Sequence, residues 1–159
     1  MFKKIILIAS VLMAHSTFAH PDKAHVAVDG AWVRATVKGQ MGTGGFMKLT
    51  ATEDLRLVKV SSPVAGVGEV HEMKMGANNV MEMRAIEGLD LPKGKSVELK
   101  PGGYHVMLME LKSTLAKDST IPLTLYFKDK KGQESKLDLQ VPVSLQPSTG
   151  GSVQPMHKH

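Results

Sequence analysis

The sequence predicts an all-β fold, an antiparallel β-sandwich, on three observations. Short apolar and β-branched segments recur along the chain, Gly, Pro, Asn and Ser turn signals separate them, and no window of ten or more residues carries a convincing helical period. Many short strands at regular spacing pack as a sandwich or barrel.

Taken in order, residues 20–29 read as a polar lead-in containing His25. Residues 31–37 (Ala-Trp-Val-Arg-Ala-Thr-Val) alternate as a strand does. The glycine-rich stretch 38–45 lacks the GxxxxGK[ST] pattern of a phosphate loop and leads into a strand at 46–50, so it reads as a flexible connection. Further strands are expected at 55–61, 67–75, 80–86, 96–100, 104–111, 121–128 and 135–143. Residues 111–119 have room for one helical turn at most. Lys128, Lys130 and Lys131 surround Asp129 and precede Gly132, which marks a solvated hairpin tip and not a nucleic-acid footprint.

The amino-terminal segment carries Lys3 and Lys4, an apolar run from Ile5 to Met13 and small residues ahead of a cut after Ala19, the pattern of a secretory signal peptide. The domain plan is therefore a signal peptide over 1–19, a β-sandwich over 20–145 and a flexible tail over 146–159. The apolar run is too short to span a bilayer, so a soluble exported protein is expected. With no cysteine after that run, no stable membrane anchor is expected. The net charge of +5 includes two signal-peptide lysines, and the remaining excess is spread along the chain, so no nucleic-acid partner is expected. The chain contains no cysteine, so its stability rests on packing without disulfides.

The chemistry concentrates between His71 and Met109, which read HEMKM, a Gly-Asn turn, MEM and, after a link, HVMLM. In a strand, alternate side chains share a face, so His71, Met73 and Met75 lie together, as do Met81 with Met83 and His105 with Met107 and Met109. Their alternates Glu72, Lys74, Glu82 and Arg84 are polar, which points the methionines inward, with the histidines at the rim and Met75 and Met109 deeper. A three-residue loop at 77–79 would set Met75 opposite Met81 and Met73 opposite Met83. Imidazole and thioether donors without thiolate favour a soft, monovalent ion, copper(I). Methionine is also an ordinary core filler, and co-occurrence of two His-x-Met units is what favours a site.

The segment resembles the periplasmic copper chaperones of the PCuAC family, whose signature is His, an optional Met, ten residues, Met, twenty-one residues and His-x-Met. Here His71, Met83 and His105-Val106-Met107 meet it over 36 positions, with Glu72 in the optional slot. The stretches 31–35 and 99–105 are also similar to that family. The resemblance implies a cupredoxin-like β-sandwich with Greek-key connections and a copper(I) site of His71, Met83, His105 and Met107. Either Met73 supplies a further thioether or four ligands suffice. Met156, His157 and His159 resemble the tail that binds copper(II) in some relatives.

A blue-copper electron carrier needs a thiolate, so that role is disfavoured, and thiol–disulfide exchange, which needs a thiol, is excluded. No hydrolase constellation is present, and no enzyme is expected. An oxygenase built on a freed His20 is disfavoured by Pro21 and by the disorder usual at termini. The expectation is a periplasmic carrier that binds copper(I) and hands it on, and the resemblance implies as its recipient the copper-bearing subunit of cytochrome c oxidase or a thiol-bearing assembly factor. Copper sequestration without a dedicated recipient is the alternative.

Overall fold

The computed structural model describes residues 22–146, and all regular structure among them is strand. One layer holds β1 (Asp22–Lys23), β4 (Leu55–Ser61), β7 (Leu89–Leu91), β10 (Thr120–Asp129) and β11 (Glu134–Ser144), ordered β7-β4-β10-β11 with β1 paired to β11. The other holds β2 (Val26–Arg34), β3 (Gly42–Ala51), β5 (Ala65–Met75), β6 (Met81–Ile86), β8 (Ser96–Leu99) and β9 (Tyr104–Leu111). In that layer β9 lies between β5 and β3, and β6 forms the edge beyond β5. The end of β11 pairs with β2 and joins the layers into one continuous path.

Pairing is antiparallel except for short parallel contacts of β1 with β11, β11 with β2 and β8 with β9. The core lies between the layers. Leu57, Leu123, Leu125, Phe127, Leu139 and Val141 come from one side, and Val33, Leu49, Val70, Val106 and Leu108 from the other. Full burial of such side chains stabilises by about 1.5–3 kcal/mol each.

Three segment readings need correction. Residues 26–29 are strand, not lead-in, and β2 ends at Arg34 before residue 37. The glycines at 42, 44 and 45 lie inside β3. The short β7 was not foreseen, because three residues are too few to show a period. The hairpin tip after β10 is as expected: Asp129 Oδ1 accepts from the amides of Lys131 and Gln133, and Gly132 takes a left-handed conformation.

A candidate soft-metal site on the outer face of the sheet

The β5–β6 turn follows from its sequence. The Gly76 amide donates to Val80 O across a loop of Ala77, Asn78 and Asn79, and Asn79 adopts the left-handed conformation at φ 60°. Asparagine tolerates that conformation better than a branched residue would. The loop sets the register: Met75 faces Met81, and Met73 faces Met83, as the odd-numbered turn requires. On the other edge of β5, His71 faces His105 and Glu69 faces Met107.

The side chains of this set lie on the outer face of their layer, contrary to the inward placement expected. Of the methionines in the described chain, only Met47 belongs to the core cluster. Val70, Val106 and Leu108, the alternates of the site residues, point to the core instead. The β5–β6 hairpin projects past the core, so beyond Val70 and Ile86 even its inner face is wet. Glu72 and Arg84 pair there, and polarity no longer marks the outside. Met75 is accordingly half-exposed at the tip, not deep.

Two histidines are nevertheless buried on this outer face, at 8% exposure for His71 and 6% for His105, with ring centroids 5.7 Å apart. Part of their shelter comes from an aromatic pad. The register of β2 and β3 shifts between Asp29 and Trp32, with Gly30 at positive φ. Such a bulge re-aims the side chains that follow. Trp32 comes to pair with Phe46, their rings 4.7 Å apart, and Phe46 lies 6.4 Å from His105. Arg34 covers the Phe46 ring at 5.6 Å. The glycines of β3 make room here. A Cβ on Gly44 would meet the Phe46 ring at 2.8 Å, and one on Gly42 would meet Met107 Cε at 3.1 Å.

Each imidazole has one nitrogen held by an oxygen. His105 Nδ1 lies 3.1 Å from Gly103 O, and His71 Nε2 lies 2.8 Å from Glu69 Oε2. With a proton donated on each of those sides, a neutral ring presents its other nitrogen as a lone pair. For His105 that nitrogen, Nε2, faces Met83 Sδ at 3.3 Å. For His71 it is Nδ1, which is buried with no partner.

Two lone-pair atoms facing each other across 3.3 Å, beside an orphaned buried nitrogen, form an arrangement that a cation would satisfy. Bonds of about 2.0 Å to nitrogen and about 2.3 Å to sulfur at a four-coordinate centre place such donors roughly 3.5 Å apart. The anchoring of the second ring nitrogen by a carboxylate and by a backbone carbonyl is the usual outer support of metal-binding histidines. Among the described residues no group of three His, Cys, Asp or Glu side chains could hold a metal, so a site must draw on methionine sulfur.

The structure therefore brings together His71, His105 and Met83, Met83 reaching across β5 from the edge strand. Met107 and Met73 join His105 in lining an adjoining cleft of about 290 Å³, and Met107 occupies the next outer-face position of β9, with its methyl toward Gly42. Glu72, in the optional slot of the motif, lies on the other face of β5 from His71 and Met73. Met156, His157, His159 and His20 lie outside the described residues, and His25 is exposed away from this cluster. Sequence reasoning missed Glu69, although its position two residues before His71 on one strand was a usable signal. It also missed Trp32 and Phe46, since the bulge that aims Trp32 leaves no period to read.

The fold is that of a PCuAC-type β-sandwich. A family model described as "Putative lipoprotein LpqE-like" matches residues 26–153, and the chain belongs to that family. A relative described as "Putative lipoprotein Lxx21020", from Leifsonia xyli subsp. xyli, is 36% identical over 106 residues, which cover 65% of this chain. The chain spans 63% of that relative's length. Among solved structures, the copper(I)-bound DR1885 of Deinococcus radiodurans aligns with a TM-score of 0.56 and 26% identity, over 83% of this chain and 84% of that one. The copper-bound PCuAC domain from PmoF2 aligns with a TM-score of 0.58 and 22% identity, over 80% of this chain and all of that domain.

Proposed function

We propose that this protein is an extracytoplasmic copper chaperone that holds copper(I) through His71 Nδ1, His105 Nε2, Met83 Sδ and the thioether of Met107, with Met73 within reach as a fifth donor. The observation that carries the reading is the paired imidazoles, each fixed through one nitrogen by an oxygen acceptor, with the second nitrogen orphaned or facing sulfur. Copper-bound structures of two proteins with this fold support the choice of metal.

Copper is cargo here. Thioethers bind it without losing a proton, and the soft donor set favours the monovalent state. The buried histidines hold the ion from below, while Met83, half-exposed on an edge strand, is the ligand an acceptor would replace first. Release by stepwise ligand exchange needs no change of oxidation state. The family and the Leifsonia relative carry lipoprotein descriptions, which support action outside the cytoplasm. The chain itself has no cysteine to acylate, and the amino-terminal run supports export through a signal peptide. The recipient proposed is a copper centre of cytochrome c oxidase, reached directly or through a thiol-bearing factor. Binding of copper(II) by Met156, His157 and His159 is part of the same proposal.

The test is a copper(I) titration against a competing chelator. One-to-one binding that is weakened more than about 100-fold in His105→Ala and in Met83→Leu is expected, beyond the 10- to 100-fold typical of losing an outer support. Equal affinity in wild type and both variants would reject the ligand set. Loaded protein mixed with an apo oxidase subunit should then produce that subunit's copper spectrum. Tight binding without transfer to any acceptor would favour sequestration.

A further inference from the structure

The β5–β6 hairpin carries more sulfur than the proposed site uses. Met75 and Met81 stand directly opposite each other, one step beyond the Met73–Met83 pair and on the same face. Their exposures are 54% and 44%, and Met83 itself is 51% exposed. The Gly76–Val80 pair closes the ladder with a hydrogen bond, and the Met73 amide donates away from β6, to Gly103 O. Pairs alternate along an antiparallel ladder, so Met75–Met81 and Met73–Met83 are both of the non-hydrogen-bonded kind, whose side chains approach most closely.

An exposed edge hairpin is usually protected by charge. This one has Lys74, Glu82 and Arg84 on its other face, while on the face continuous with the buried histidines every position beyond the His71–Ala85 pair, up to Met75 and Met81, is a thioether. Packing does not explain that face, since neither Met75 nor Met81 contributes to the core or touches its margin. Flexible thioethers in close cross-strand pairs can reach one soft ion together, and Met83 neighbours both the tip pair and His105.

The geometry points to a second soft-cation site at the hairpin tip, formed by Met75 and Met81 with Met83 as the shared ligand, through which copper(I) passes to and from the histidine site. This rests on the copper(I) reading of the His71–His105 site. The transfer is ligand exchange throughout. Each Cu–S bond formed at the tip replaces a Cu–N or Cu–S bond given up at the histidines, copper stays monovalent, and no proton moves on sulfur. The tip site, with two or three thioethers and no nitrogen, is the weaker of the two.

The full chain, labelled with carbon-13 at the methionine methyls, should be titrated with silver(I), a redox-inert stand-in for copper(I). The first equivalent should shift the Met83 and Met107 signals, and the second those of Met75 and Met81. In the double variant Met75→Leu/Met81→Leu the first equivalent should bind as in wild type, the second should be lost, and copper(I) transfer to a chelating acceptor should slow by about tenfold. Unmoved Met75 and Met81 signals at excess silver, with the first equivalent bound normally, would overturn the tip site and leave the histidine site standing. No response of Met83, in wild type or after His105→Ala, would overturn the histidine site and the relay together. A double variant with an unchanged transfer rate would overturn the relay.

Discussion

Two hairpins of this molecule use the same alternating backbone for opposite ends. In β10–β11 every second side chain enters the core: Ile121, Leu123, Leu125 and Phe127 on one strand, Leu137, Leu139, Val141 and Val143 on the other. In β5–β6 the alternation continues past the core. No residue of β6 is fully buried, the positions in line with the core carry Glu72, Lys74, Glu82 and Arg84, and methionine takes the opposite face. The first hairpin holds the sandwich together. The second buries His71 at its root and extends the sulfurs of Met75, Met81 and Met83 toward solvent.

The contrast fails if the two hairpins answer alike to truncation. Leu125→Ala should cost about 2–5 kcal/mol in chemical denaturation, whereas Met81→Ala should stay within about 0.5 kcal/mol. A Met81 variant that unfolds as readily as the Leu125 variant would make the second hairpin structural. A sharper separation comes from Glu69, which touches no metal in the proposed site. Glu69→Ala should lower copper(I) affinity by about 10- to 100-fold through loss of the His71 anchor, while leaving the urea midpoint nearly unchanged.

Methionines can be set against each other in the same way. Met47→Leu, inside the core, should cost less than about 1.5 kcal/mol and leave copper affinity as it was. Affinity lost at Met47 would mean that the variants perturb the fold and not the ligands.

The smallest effect belongs to the charged tip of β10–β11. Lys130 holds the Asp54 carboxyl below the ordinary aspartate range by a hydrogen bond and its charge, and Asp54 in turn raises Lys130. A depressed carboxylate contributes stability above its unfolded pKa and loses it as pH falls through the folded one. A raised lysine contributes below its ordinary range and loses that as pH rises. Lys130→Met should therefore lower the thermal midpoint slightly near neutral pH, and the difference should vanish in acid below the lowered Asp54 value. Both groups are exposed, so an effect comparable to Leu125→Ala would contradict this assignment.

Much of this was legible along the chain. Strands 55–61 and 104–111 appear where alternation and turn residues predicted them, and the register of Met73 with Met83 follows from counting the loop. The spacing of His71, Met83 and His105 was readable for the same reason, since a period of two assigns residues to faces. Which face was not readable. Glu72, Lys74 and Arg84 mark solvent along most strands, but on a hairpin that overshoots the core they say nothing about the other side.

The amino-acid order alone thus determined the all-strand class, the pairing across the Met-rich turn and the absence of thiol chemistry, because each depends on local period or on composition. Only the tertiary structure decided that the donors stand on the outer sheet face. It also decided that a bulge at Gly30 and glycines in β3 make room for an aromatic shelter, and that Glu69 and Gly103 O leave one nitrogen of each ring free. Those outcomes depend on where the core ends and on which strands lie side by side, quantities set by packing between residues far apart in the chain.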